Sequence, residues 1–97
     1  MSLLSESVVK AFFEDALFSV EVRKQGQTVG TQAPDWQVHG SSADTDVMFT
    51  FDRFTSFDEL VVVRSGEVVD RQSFGGQVSL PPGAEWEHHV SVTLLEV

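Results

Sequence analysis

The chain has no cysteine, tyrosine, isoleucine or asparagine. Without cysteine there is no disulfide framework and no thiolate chemistry, and most zinc-site patterns are excluded. Without asparagine no N-glycosylation acceptor is possible. Positive charge is scarce: six lysines and arginines stand against fifteen aspartates and glutamates, for a formal charge of −9. Nucleic-acid phosphates attract lysine and arginine stripes, so no nucleic acid is expected as a partner, and no anionic membrane surface. Long apolar runs are missing too. Glu6, Lys10, Glu14 and Asp15 interrupt the first stretch, so neither a signal peptide nor a membrane span is expected.

What is present is a globular composition. Of 97 residues, 41% are hydrophobic and 22% charged, which excludes disorder throughout and predicts one domain over 1–97. Valine occurs sixteen times and phenylalanine eight, a bias toward strands. A chain this short has no room for a dinucleotide fold with a substrate domain, and its stability alone should be modest.

The spacing predicts a helix from Ser5 to Leu17. Leu4, Val8, Phe12 and Ala16 recur every fourth position, Val9, Phe13 and Leu17 widen the stripe, and Glu6, Lys10 and Glu14 line the opposite side. Ser2 or Ser5 is placed to cap its start. A helix so short is marginal alone in water and must dock, on its own sheet or on a neighbouring subunit.

After Leu17 the period changes to two. Phe18, Val20 and Val22 alternate with polar residues, Gln25-Gly26-Gln27 reads as a turn, and Thr28 to Thr31 as a short strand. Proline at 34 interrupts the chain before Trp36 and Val38 resume the alternation. Gly40 to Asp46 reads as the clearest loop. Val47, Phe49 and Phe51 form a strong strand, and Phe54 to Asp58 a corner. Glu59 to Arg64 is apolar on both sides through Leu60-Val61-Val62-Val63, as a central strand requires. Ser65-Gly66-Glu67 turns into Val68 to Phe74, Gly75-Gly76 breaks the chain, Gln77 to Leu80 is short, and Trp86 to Val97 closes it. The expected fold is mainly β: an antiparallel β-sandwich of about six to eight strands with one N-terminal helix. Parallel pairing would need long crossovers, for which there is no room.

Candidate chemistry is thin. His88 and His89 are strand neighbours pointing to opposite faces, so they do not chelate one ion together, even with Glu85 and Glu87 nearby. Asp44 and Asp46 resemble the start of a calcium loop, but Val47 to Phe51 enters a strand where the remaining ligands should be. No nucleophile elbow, phosphate-binding loop or dinucleotide fingerprint occurs. No enzyme activity, cofactor or metal is expected. Trp36 and Trp86 suit either a sugar platform or the interior of a thin sandwich.

The order of pieces resembles a family of short virion proteins of tailed bacteriophages labelled tail-fibre-like. The likeness lies in Leu4 to Phe13, in Asp46 to Phe51, in Thr55 to Val63 and in Gln77 to Trp86 followed by Val90 to Leu94. The glycine-rich stretch usual in the first half of that family is replaced here by Gly26 to His39, so no functional residue is carried over. The resemblance implies a non-enzymatic virion structural protein, made in the bacterial host cytoplasm and carried on the capsid surface or the tail. Size and acidity then favour a capsid cement or decoration protein. The alternatives are a tail or neck appendage module and a carbohydrate-binding sandwich. Other virion proteins, the major capsid protein or tail proteins, are the expected partners, and a homo-oligomer, as a trimer, is expected too. Leu4, Val8, Phe12, Phe13, Trp36 and Trp86 are the candidate interface residues.

Overall fold

Strands form where valine and phenylalanine alternate with polar residues, because each such run can bury one face and wet the other. The computed structural model describes residues 6–15 and 17–93. Along the chain lie α1 (Glu6–Asp15), β1 (Phe18–Lys24), β2 (Gln27–Gln32), β3 (Gln37–His39), β4 (Ser42–Thr50), β5 (Thr55–Arg64), β6 (Glu67–Leu80) and β7 (Glu85–Thr93). The strands make two antiparallel sheets, β2-β1-β5-β6 and β3-β4-β7. This is the sandwich expected from the pattern, within a slender body of 48 × 21 × 21 Å.

Two hairpins are closed by two-residue turns with positive φ at both centres, Gln25 at 52° with Gly26 at 82° and Ser65 at 51° with Gly66 at 87°. That geometry matches the natural twist of the paired strands. β5 sits between β1 and β6, which explains its apolar run: Leu60 and Val62 enter the core, while Val61 and Val63 are buried on the other face. From the second sheet Ala43, Val47, Phe49, Val90 and Val92 complete the interior.

Several elements differ from expectation. The segment read as a loop from Gly40 to Asp46 contains only a turn at Gly40 and Ser41, and β4 begins at Ser42. Its serine and aspartates are the outward positions of a strand whose inward positions are Ala43, Thr45 and Val47. The corner at Phe54 to Asp58 is shorter, since β5 starts at Thr55. Gly75-Gly76 does not end its strand. β6 runs on, with register passing from Ser73 opposite Glu59 to Val78 opposite Phe57, so four residues face Asp58 alone. Gly75 takes φ 72° in this excursion, and Phe74 turns inward to pack on Phe57 and Trp86.

The helix also sits differently. Its described part packs on the chain's own sandwich, and the inward line is Val9 and Phe13, both under 4% exposed, rather than Val8 and Phe12. Val8 is 52% exposed, and Phe12 is half-buried at the edge of the core. One residue of rotation, about 100°, separates the two lines. Leu17 lies beyond the helix and is exposed. Leu4, Ala16, the caps at Ser2 and Ser5, and the end of the last strand after Thr93 lie outside the described residues.

Candidate functional site

The outward face of the three-stranded sheet gathers acidic side chains. Alternation sends Asp44 and Asp46 outward along β4, and register sets Asp46 beside His89 and Met48 beside Glu87. Asp35, Gln37, Asp44, Thr45 and Asp46 line a shallow groove of about 380 Å³. Thr45 is buried, and its hydroxyl accepts a hydrogen bond from the Asp35 backbone N–H at 3.1 Å, tying the approach to β3 onto β4. Among the described residues no three His, Asp or Glu side chains are gathered as a metal-ligand set. None of the described helices is long and apolar enough to cross a membrane.

All three histidines approach a polar side chain of another strand. His89 Nδ1 lies 2.8 Å from the Asp46 carboxylate, and His39 Nε2 lies 3.7 Å from that of Asp44. His88 turns to the other face, as adjacent strand residues must. Its ring stacks on Trp86 with centroids 4.9 Å apart and meets the edge of Phe74 at 5.6 Å. Its Nε2 is hydrogen-bonded to the Gln72 side-chain amide at 2.9 Å. This contact joins β7 to β6 across the open side of the sandwich. Burial first, and then the neighbouring charge of His89, push His88 below the usual imidazole value.

The candidate interface residues fall into two aromatic groups. Phe12, Phe13 and Trp36 meet around Phe18, with Trp36 5.1 Å from Phe13 and 5.4 Å from Phe18. The Arg64 guanidinium stands 4.4 Å over the Phe12 ring. Trp86 belongs to the other group, with Phe49, Phe57, Phe74 and His88. Phe13 is therefore enclosed by its own chain, Phe12 is half-buried, and among the described candidate helix residues Val8 is the exposed one. Beside Trp36, a second groove of about 210 Å³ is lined by Lys10, Glu14, Gln37 and His39 along with Phe13 and Val38.

On the outer face of the four-stranded sheet charged groups pair with one another. Glu21 accepts from Arg23 at 2.9 Å and from the Thr28 hydroxyl at 2.7 Å, and Arg71 meets Glu59 at 3.4 Å. Burial pushes the Glu21 carboxyl up, but the hydrogen bonds from Thr28 and Arg23 and the Arg23 charge outweigh it and hold the group below its ordinary value. Sequence reasoning passed over Gln72, Thr45 and Arg64, because their partners, His88 on β7, the Asp35 backbone and the Phe12 ring of α1, are set by the tertiary fold. No family model, curated protein or solved structure matches the chain.

Proposed function

We propose that this chain is a non-enzymatic structural protein of a tailed-bacteriophage particle, a capsid decoration or cement protein carried on the outside of the shell. The observation that carries the reading is the employment of the histidines. His88 and His89 are each hydrogen-bonded to a second strand, and His39 lies 3.7 Å from Asp44 across another pair, so the side chains best suited to proton transfer serve the scaffold. The resemblance in the helix, in β4 and β5, and through the end of β6 into β7 favours a virion setting. A thin sandwich whose three-stranded sheet presents an acidic outer face is suited to laying that surface against neighbouring subunits, and binding there adds to its modest stability.

Cryo-electron microscopy of intact particles tests the reading. Hundreds of copies on the shell support it. A few copies at the tail or neck favour the appendage module, and no copies on the particle refute both. The groove beside Trp36, with Lys10, Glu14, Gln37 and His39 around it, favours a second reading as a carbohydrate-binding module. Tryptophan fluorescence titrated with host polysaccharide checks it, and an unchanged spectrum at millimolar sugar dismisses it.

A further inference from the structure

A sandwich of two open sheets has four edge strands, here β2, β6, β3 and β7. Natural edges are kept from pairing with other chains by charge or shortness among other devices. β6 carries Glu67, Asp70 and Arg71, and β7 carries Glu85, Glu87 and two histidines. β3 is three residues long. β2 is different. Its sequence, Gln27-Thr28-Val29-Gly30-Thr31-Gln32, has no ionisable side chain, and every residue but Gly30 is exposed. In a molecule of formal charge −9, this is the edge where a second copy approaches with least repulsion.

The strand is also a near-palindrome, glutamine and threonine at one end mirrored by threonine and glutamine at the other. Two-fold pairing needs more than that, because residues opposite each other across the axis must lie on the same face of the sheet. In a regular strand Thr28 and Thr31, three positions apart, lie on opposite faces. Here the register against β1 shifts: Thr31 stands opposite Glu21 and Gly30 opposite Val22, but Thr28 stands opposite Arg23, leaving Val29 as a bulge. Glu21 and Arg23 both lie on the outer face, where Thr28 bonds Glu21. The bulge therefore brings both threonines to the outer face and leaves both glutamines on the inner one.

We propose that β2 pairs antiparallel with β2 of a second copy of this chain about a two-fold axis. Thr28 then faces the partner's Thr31, and Gln27 faces the partner's Gln32, each pair occurring twice. The two four-stranded sheets become one continuous sheet, and cross-strand threonine pairs add to its ladder. The palindrome calls for a two-fold assembly in place of the trimer expected from the sequence.

Sedimentation velocity over a concentration series up to the millimolar range tests this on the full chain. The wild type is expected to form a dimer. The variant T28K/T31K brings the net charge closer to zero, yet sets like charges face to face at both threonine pairs. Its dimer dissociation constant should rise roughly tenfold or more. The variant T28K/T31E sets opposite charges face to face at the same two places and should dimerise at least as tightly as the wild type. A monomeric or trimeric wild type, a T28K/T31K dimer of undiminished affinity, or a folded but monomeric T28K/T31E overturns the proposal. Circular dichroism checks that each variant folds. If one does not, hydrogen exchange of the wild type decides: β2 amides must gain protection as concentration rises, and unchanged exchange overturns the pairing.

Discussion

Phe13→Ala and Val8→Ala test where the helix docks. Both residues belong to the apolar stripe of α1, but Phe13 is 3% exposed and Val8 52%. The Phe13 ring is stacked on Phe18 at 5.3 Å, meets Phe12 edge-on at 5.3 Å and leans on Trp36 at 5.1 Å. Truncating a buried phenylalanine costs about 3–5 kcal/mol. The lower end applies here, because a helix of ten residues can release from the sandwich rather than enclose the whole void. A loss of about 3 kcal/mol lowers the melting midpoint of a domain this size by roughly 12–24 °C. Val8→Ala should stay within about 0.5 kcal/mol. Thermal melting by circular dichroism at one low protein concentration reads both, and hydrogen exchange in α1 shows whether the helix has come away. If Val8→Ala costs as much as Phe13→Ala, or Phe13→Ala melts alongside the wild type, the helix does not dock through the Val9 and Phe13 line.

Gly30→Ala should destabilise by about 1–3 kcal/mol in chemical denaturation, since a methyl there would sit 2.8 Å from the Phe51 ring and 3.2 Å from Phe49; an unchanged midpoint would show that the rings yield freely. Thr45→Val leaves the Asp35 N–H without its acceptor and should cost about 1–2 kcal/mol, with faster exchange at that amide. Because the folded state lowers the proton affinity of His88 from its ordinary value of 6.5, its stabilising contribution is complete above that pH. It is lost as the pH falls through the lower folded value. Urea midpoints measured from pH 7.5 downward should decline more steeply for the wild type than for His88→Gln, and parallel curves would contradict the assignment.

Legibility followed the range of the interaction. The mainly β class, the turns at Gln25-Gly26 and Ser65-Gly66, the inward set Val47, Phe49 and Phe51, and the central place of β5 rest on neighbours along the chain. Each could be read from alternation and turn chemistry alone. The opposed directions of His88 and His89 follow from the same alternation. Their partners Gln72 and Asp46 could not be read, because they come from β6 and β4.

The amino-acid order alone determined the buried sets Val20 and Val22, Val47 and Phe49, and Leu60 to Val63, and the turns at Gln25-Gly26 and Ser65-Gly66, because strand periodicity and positive φ are local properties. Tertiary structure decided everything that depends on a partner strand. It made Ser42 to Asp46 a strand by giving it β7 to pair with, and it carried β6 past Gly75 by setting Phe74 against Phe57 and Trp86. It turned α1 onto Val9 and Phe13, since a wide apolar stripe leaves its centre to the surface it meets. It also placed Thr28 and Thr31 on one face of β2. Facing is counted against the opposing strand, so a single extra residue there reverses what the sequence by itself would suggest.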